Sequence, residues 1–214
     1  MAVRVLKVVG VIGLVLLAAC TSGPSPDDAS YVKELEAFRA QRDKDFSELP
    51  ECSPQVDGDC SPVPPAQRKA ILPLRYFPPD SNSSVPASLQ LSDNRPTFEM
   101  PTSTGALRRM QRVGVLQFTL QGQPFTLGAF VEDGTQQISE LFVPFADVTN
   151  GEDTYPAGRY LDLRPTPTGL YTIDFNRAYN PYCAYSKGYE CPFPPPSNRM
   201  KVAVRAGEKA PPGE

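Results

Sequence analysis

The polar residues that could bind a ligand or do chemistry are concentrated between Phe145 and Glu208. They are interleaved with aromatic residues and two cysteines, and they lie between predicted strands, where a rigid scaffold usually presents its binding surface. The set comprises Asp147, Thr154, Tyr155, Arg159, Asp162, Asp174, Asn176, Tyr179, Asn180, Asn198 and Glu208. We therefore place the candidate site in residues 147–208.

Arg159 is the candidate for recognising an anion. It stands among Asp147, Asp162 and Asp174, and a guanidinium can hold a carboxylate or phosphate through two parallel hydrogen bonds. The same residues allow a structural interpretation, in which Arg159 pairs with Asp147 or Asp174 to fix a loop. Strand alternation places Arg159 and Asp162 on opposite faces of their strand.

Five residues are predicted to form the ligand site. The strands at 160–163 and 170–175 are joined by a short connection rich in Pro and Gly, which suits an antiparallel pair. That pairing brings the start of the first strand beside the end of the second. We expect a concavity there, next to the Cys183–Cys191 loop, that binds a small anionic or envelope-derived ligand. The predicted site residues are Arg159, Asp174, Asn176, Tyr179 and Asn180.

Carboxylate chemistry is an alternative to ligand binding. The chain contains no histidine, which excludes Ser-His-Asp and Cys-His catalysis and His-ligated metal sites. Asp174 with Glu208 or Asp162 could divide the acid and base roles of a hydrolase, given two carboxyls about 5–10 Å apart in an open cleft. Carboxylates tied to Arg or to backbone N–H groups would favour binding instead. A purely structural protein is the third alternative, and whether the chain is an enzyme stays open.

Metal, cofactor and nucleic acid are not expected as partners. The Asp147-x-Thr149-x-Gly151-x-Asp153 segment resembles part of a calcium loop, but it lacks the terminal bidentate glutamate at the right distance. The 21 basic residues are outnumbered by 24 acidic ones. The absence of a basic run or a basic–aromatic stripe argues against nucleic-acid binding.

Residues 1–19 are predicted to be a secretory signal peptide. Arg4 and Lys7 precede an apolar run, and Leu17-Ala18-Ala19 leads directly into Cys20. This arrangement resembles a bacterial lipobox, so we expect cleavage before Cys20 and acylation of its thiol and new amine. An ordinary signal peptide followed by a chance cysteine is the alternative.

Residues 20–29 are predicted to be the lipidated cysteine and a flexible tether, because they are rich in Ser, Pro, Gly and Asp. The residue after the cysteine is Thr21 rather than an acidic residue. By the sorting rule for such lipoproteins, this predicts the outer membrane, facing the periplasm, if the host is Gram-negative. The expected location is the cell envelope, with lipid as the membrane anchor.

The other four cysteines are predicted to form disulfides. Cys52 and Cys60 are separated by seven residues, as are Cys183 and Cys191. An even number of cysteines in an exported domain favours disulfides, and the equal spacing favours two local pairs. A four-thiolate metal site is the alternative, although its ligands usually come in pairs two to four residues apart.

Short strands dominate the rest of the chain. One helix is expected over 30–46, with an apolar stripe that contains Arg42 and with Arg39 facing outward. Strands are expected at 71–77, 87–91, 97–100, 113–120, 124–131, 141–145, 160–163, 170–175 and 200–204. Regular spacing with turn signals between strands predicts an antiparallel small barrel or sandwich. Residues 30–209 are thus expected to form one mainly β domain with an N-terminal α-helix, and 210–214 a disordered tail.

Three motifs resemble those of a known family. They are FADVTNGEDTYPAGRYLD at 145–162, DFNRAYNPYCAY at 174–185, and CPFPP at 191–195 with AGEK at 206–209. Over roughly residues 31–209 the chain resembles the bacterial and archaeal family called domain of unknown function 1684. The resemblance implies no particular activity, because the family has none assigned. One departure is Ser197-Asn198, where the family has Glu-Asn, and the Cys52–Cys60 pair lies outside the resemblance.

Overall fold

Seven antiparallel strands form a nearly closed barrel in the computed structural model, which describes residues 26–52 and 59–213. The strands are β1 (Ser84–Leu91), β2 (Thr97–Pro101), β3 (Leu107–Leu120), β4 (Gln123–Glu132), β5 (Leu141–Phe145), β6 (Arg159–Leu163) and β7 (Tyr171–Asp174). The α-helices are α1 (Pro26–Glu48) and the short α2 (Arg68–Ile71). The predicted class, a mainly β antiparallel barrel with an N-terminal helix, is confirmed.

Hydrogen bonding follows the order β6-β5-β4-β3-β1-β7, and β2 pairs with the first part of β3. The β3–β4 hairpin turns on Gln121 and Gly122, which both have positive φ. Two such residues in succession give a turn whose twist matches that of the flanking strands. The predicted hairpin is therefore confirmed, with Gln123 belonging to β4 rather than to the turn.

The barrel interior is filled with side chains. Alternation along β6 turns Leu161 inward and leaves Asp162 on the outer face. Phe175 lies between Phe118 and Phe145, with ring centroids 5.9 and 5.3 Å away. A ligand site must therefore be built on the outer surface of the barrel.

β6 and β7 are the two ends of the hydrogen-bonding order, so their predicted antiparallel pairing is wrong. β7 pairs with β1, from Ser84↔Asp174 to Ala87↔Tyr171. The free edge of β6 is occupied by the segment that follows β7, since Tyr160 and Tyr179 exchange backbone hydrogen bonds of 2.9 and 3.0 Å. The barrel wall consequently has a seam between β6 and β7.

The strands predicted at 71–77 and 200–204 are also wrong. Ile71 ends α2, and the N–H of Leu74 donates to Oδ1 of Asp43 at 2.8 Å. In the second segment, the N–H of Val204 donates to Asp147 Oδ1 at 3.2 Å and its carbonyl accepts from Arg159 Nη2 at 2.9 Å. Side chains thus take some of the backbone groups that a sheet partner would have used, and the remaining pairing is limited to isolated bridges, Tyr76 with Glu208 and Arg199 with Ala146.

Helix α1 has a wider buried face than the sequence predicted. Leu35 and Phe46 of the apolar stripe are buried. Arg39, expected to face outward, donates to the carbonyl oxygens of Phe77 at 3.0 Å and Asn176 at 3.4 Å. Because Arg39 reaches two separate backbone segments, it clamps the helix to the barrel.

Both ends of the domain differ in detail from the prediction. The predicted signal peptide, Cys20 and the tether up to residue 25 lie outside the described residues, whereas 26–29 already belong to α1. Proline is tolerated in the first helical turn because its missing N–H has no intrahelical partner there. At the other end, the N–H of Ala210 donates to the carbonyl of Asp153 at 3.0 Å. None of the helices within 26–52 and 59–213 combines the length and apolarity needed to cross a bilayer.

Both predicted disulfides are present. The S–S distances are 2.01 Å for Cys52–Cys60 and 2.07 Å for Cys183–Cys191. The four sulfurs are bonded in pairs and do not form a thiolate metal site. The second disulfide closes a loop beside the seam.

Candidate functional site

The structure places Arg159 in the barrel interior, with 0% of its side chain exposed. Its Nη2 atom pairs with Asp147 Oδ2 at 2.9 Å. Its guanidinium also donates to the carbonyls of Val204 at 2.9 Å and Glu208 at 3.2 Å, and to that of Ala206. Burial lowers the pKa of Arg159, and the charge of Asp147 opposes that shift. Arg159 therefore ties the C-terminal segment to β6.

The oxygen atoms of the segment that resembles a calcium loop are hydrogen bonded to other groups of the protein. Asp147 Oδ1 accepts from the N–H groups of Thr149 at 2.8 Å and Val204 at 3.2 Å, while Oδ2 holds Arg159. The hydroxyls of Thr149 and Thr154 hydrogen bond to each other at 2.8 Å. These oxygens serve groups of the protein rather than an ion.

Glu208 is the second buried carboxylate of this region, at 1% exposure. Its Oε2 accepts from the N–H of Asn180 at 2.7 Å and the hydroxyl of Tyr185 at 2.6 Å, and its Oε1 accepts from Arg42 Nε at 2.5 Å. Desolvation opposes the charge of Arg42, but the attraction of Glu208 outweighs it and raises the pKa of Arg42. Glu208 thus anchors α1 and the loop after β7 to the C-terminal segment.

Asn176 and Asn180 are buried and hold backbone segments together. Asn176 accepts from the N–H of Asp80 at 3.0 Å and donates to its carbonyl at 2.7 Å. Asn180 Nδ2 donates to the carbonyl of Lys209 at 2.8 Å. Asn176 uses both the donor and the acceptor of its amide in this role, whereas Asn180 uses its Nδ2 donor.

An open cleft lies outside the seam between β6 and β7, with a volume of about 1240 Å³. Residues 31–42 of α1 form one wall, the Cys183–Cys191 loop forms another, and the outer faces of β5, β6 and β7 form the floor. The aromatic part of its lining comprises Tyr31, Phe38, Phe142, Tyr160, Tyr179, Tyr182 and Tyr189. Its volume exceeds the range of roughly 300–1,000 Å³ typical of small-molecule pockets.

Asp174 and Tyr179 are the predicted site residues that line this cleft. Asp174 Oδ1 accepts from the Tyr31 hydroxyl at 2.8 Å, and its Oδ2 lies 3.2 Å from Arg177 Nε. Tyr179 donates its hydroxyl to Asp162 Oδ2 at 2.6 Å. The structure thus brings two of the five predicted residues to the cleft, while Arg159, Asn176 and Asn180 lie in the protein interior.

Two of the three carboxylates considered for hydrolysis, Asp174 and Glu208, are held by several hydrogen-bond donors. Asp174 is held by Tyr31, by the N–H of Asn176 at 3.0 Å and by Arg177. Glu208 does not line the cleft, and its oxygens are taken by three donors. Carboxylates tied to arginine and to backbone N–H groups in this way favour binding over carboxylate catalysis.

Asp162 is the exposed carboxylate at the cleft floor. Desolvation by the surrounding protein raises its pKa, and the hydrogen bond from Tyr179 opposes that shift. Burial and the charge of Asp162 raise the pKa of Tyr179. The hydroxyl of Tyr179 therefore stays protonated and orients the carboxylate.

The pH dependence of stability tests this environment of Asp162. An acid with a pKa raised by folding contributes stability below its unfolded pKa and loses that contribution as pH rises through the folded value. We therefore compare the free energy of unfolding of Asp162→Asn with that of the unmodified protein at pH 7 and at about pH 3, which lies below the ordinary aspartate pKa. The difference should favour the variant more at pH 7 than at about pH 3. Urea unfolding at the two pH values measures the difference. Asp93→Asn in the exposed β1–β2 loop controls for the lost charge, and the opposite sign would contradict the prediction.

Ion pairs engage the arginines at the rim of the cleft. They are Arg164–Glu140 at 2.9 Å, Arg177–Glu34 at 2.6 Å and Arg108–Glu190 at 3.6 Å. Surface pairs of this kind contribute little stability, but each places an acidic group beside its arginine. Arg42 differs, because its partner Glu208 lies behind the cleft wall.

The sequence missed the wall contributed by α1. Tyr31 contacts Asp174 across 143 residues of chain, a separation that no local pattern reveals. One signal was available: Arg42 interrupts the apolar stripe of α1. An arginine at such a position requires a buried partner, and that partner is Glu208.

The chain folds into a small antiparallel barrel with a helix-walled cleft on its outer surface. The chain belongs to the family described as protein of unknown function DUF1684, whose model matches residues 71–209. It is similar to the solution NMR structure of an uncharacterised protein from Haloarcula marismortui, with 36% identity and a TM-score of 0.64. That match covers 86% of this chain and 96% of the other. The comparison with curated proteins finds no match.

The departure from the family pattern lies outside the cleft. Ser197 is exposed, and neither it nor Asn198 belongs to the cleft lining. Asn198 is buried and bonds the N–H and carbonyl of Gly128 at 2.7 and 2.9 Å, and the carbonyl of Pro144 at 2.7 Å. Asn198, which matches the family pattern, therefore joins β4 to β5, while Ser197, which departs from it, faces solvent.

Proposed function

We propose that the protein is a lipid-anchored protein of the cell envelope that binds a small, envelope-derived ligand in the cleft outside the β6–β7 seam. The observation that carries the proposal is the cleft itself, whose lining combines aromatic rings with charged groups. Small-molecule sites typically combine apolar and aromatic walls with a few placed polar groups. Tyrosine suits such a lining because it offers an apolar ring and a hydrogen-bonding hydroxyl.

The walls of the cleft support a preorganised site. Tyr31 on α1 is hydrogen bonded to Asp174, and Tyr160 on β6 donates to the carbonyl of Pro192 at 2.6 Å. Phe142 and Tyr160 pack edge to face with centroids 4.8 Å apart. Side chains fixed before binding lose less conformational entropy when the ligand arrives.

A blocking substitution tests the proposal. Thr172 lines the cleft from β7 and is exposed, so Thr172→Trp fills the cleft without entering the barrel core. A panel of envelope-derived small molecules is screened by thermal shift and calorimetry against the purified protein. We expect Thr172→Trp to weaken binding of each hit at least tenfold, about 1.4 kcal/mol. Thr119→Trp, at an exposed β3 position outside the cleft, is the matched control, and equal binding by both variants would refute the proposal.

The proposed location is supported by the N-terminal sequence and the two disulfides. Residues 1–19 have the form of a secretory signal that ends at Cys20. Cys52–Cys60 and Cys183–Cys191 are typical of proteins from an oxidising compartment. The proposal is an envelope location with a lipid anchor, at the outer membrane if the host is Gram-negative.

Cys20→Ala is expected to release the protein from the membrane fraction or to leave an unprocessed precursor. The reason is that the thiol of Cys20 is the proposed acylation site, and acyl chains supply the membrane affinity. Fractionation followed by mass spectrometry of the N-terminus measures both outcomes. Normal processing with unchanged membrane retention would contradict the lipid anchor.

A further inference from the structure

Two side chains of opposite charge flank Tyr179 on the cleft lining. The Arg42 guanidinium carbon lies 5.1 Å from the centroid of the Tyr179 ring. The hydroxyl at the far end of that ring donates to Asp162 Oδ2 at 2.6 Å. Arg42, Tyr179 and Asp162 all line the cleft. The cleft therefore presents a cation over the face of the Tyr179 ring and a carboxylate at its hydroxyl.

Arg42 has hydrogen-bonding capacity left over. Its Nε is held by Glu208, and its guanidinium lies over the ring of Phe46 at 4.6 Å and that of Tyr179 at 5.1 Å. Its Nη2 has no hydrogen-bond partner among the described residues. Because Nη2 is itself buried, the part of Arg42 open to a ligand is the 18% of its side chain that remains exposed.

The orientation of Arg42 is fixed before any ligand arrives. Two aromatic contacts and the pair with Glu208 restrain the guanidinium, and 18% of the side chain remains exposed. Glu208 is fully occupied by its own donors and lies outside the cleft lining. Arg42 is thus the member of this ion pair that lines the cleft, and a planar guanidinium suits a carboxylate.

Asp162 supplies the complementary charge. It is exposed on the outer face of β6, and Tyr179 fixes one of its oxygens. A carboxylate restrained in this way can accept from an ammonium group. The neighbouring Arg164 is engaged by Glu140 at 2.9 Å.

We infer that the cleft recognises a zwitterion: a free amino acid or short peptide, with its carboxylate on Arg42 and its ammonium group on Asp162. This inference rests on the proposed function and names the ligand class. An α-amino acid with a hydrogen bond at each end spans about 8 Å. Arg42 lies over the face of the Tyr179 ring, 5.1 Å from its centroid, and Asp162 lies 2.6 Å from the hydroxyl of the same ring. A ligand of that length can therefore contact both charges around one ring. Tyr160 and Phe142 offer an apolar surface for the ligand side chain.

Blocked ligands test the two charge contacts separately. The purified full-length protein, in detergent, is titrated calorimetrically with free amino acids and unmodified dipeptides, and with N-acetylated and C-amidated forms of each. We expect binding by unmodified ligands and at least a tenfold loss when either end is blocked. Equal binding of blocked and unblocked forms would overturn the inference. So would the absence of binding by every unmodified amino acid and dipeptide.

Substitutions assign each end to its residue. In the Asp162→Asn variant, N-acetylation of the ligand should no longer weaken binding, whereas C-amidation should still weaken it. In the Arg42→Gln variant, C-amidation of the ligand should no longer weaken binding, whereas N-acetylation should still weaken it. If Arg42→Gln fails to fold, Arg42→Lys keeps the positive charge and should retain part of the preference for a free carboxylate. Arg205→Gln, at an exposed position outside the cleft, should change neither preference.

Failure of this inference is distinguishable from failure of the proposed function. A ligand without charged ends that is displaced by Thr172→Trp would support the cleft and overturn the zwitterion. A zwitterion that binds equally well to Thr172→Trp would overturn both. Binding that depends on a free carboxylate alone would identify an anion site at Arg42 and remove the role of Asp162.

Discussion

Replacing Arg159 by alanine is expected to lower the free energy of unfolding by about 3–5 kcal/mol, as breaking a buried ion pair does. The substitution leaves Asp147 buried without its cation, and it removes the donor from the carbonyls of Val204, Ala206 and Glu208. Urea denaturation of the variant measures the loss.

The matched control is Arg164→Ala. Arg164 is 77% exposed and pairs with Glu140 at the surface, so its removal should cost no more than about 1 kcal/mol. Arg159→Ala with native stability and impaired ligand binding would contradict the structural role. Asp147→Asn, alone and combined with Arg159→Ala, completes a double-mutant cycle that measures the coupling of the pair.

Glu208→Ala is expected to have the second-largest effect on stability, again about 3–5 kcal/mol. It leaves three buried donors without their acceptor: Arg42 Nε, the N–H of Asn180 and the hydroxyl of Tyr185. Because Arg42 loses the contact that orients it, ligand binding should weaken in whatever fraction remains folded. Thermal and chemical unfolding, with ligand titration below the melting temperature, measure both effects.

The control for Glu208 is Glu48, which is 66% exposed and lies 3.9 Å from Lys44. Glu48→Ala should change stability by no more than about 0.5 kcal/mol, the usual value of a helix surface pair. Equal effects of Glu208→Ala and Glu48→Ala would show that the buried network around Glu208 is unimportant for the fold.

Local patterns in the sequence were sufficient for much of the fold. Alternating apolar residues predicted the β3–β4 hairpin, because one face of each strand is buried and the other is not. Equal cysteine spacing predicted both disulfides. The segments at 71–77 and 200–204 have strand-like composition, but their backbone groups bond to side chains such as Asp43 and Asp147. Such tertiary contacts are not encoded in local periodicity.

The candidate site was less accessible to sequence reasoning. The structural alternative for Arg159, a pair with Asp147, is the one that the structure shows, because residue type alone does not distinguish a buried cation from an exposed one. Tyr179 and Asp174, two of the five predicted residues, line the cleft. The opposite wall comes from Tyr31, Phe38 and Arg42 on α1, whose docking on the seam depends on contacts far apart in the chain.

The central proposal is that the cleft outside the β6–β7 seam is the ligand site. Amide NMR spectra of isotope-labelled protein, recorded with and without a ligand from the screens, locate the bound molecule directly. We expect the largest changes in chemical shift at Tyr31, Asp162, Thr172 and Tyr179, which line the cleft from α1, β6, β7 and the segment after β7. Largest changes at the far hairpin, around Thr119 and Thr126, with none at the cleft residues, would contradict it.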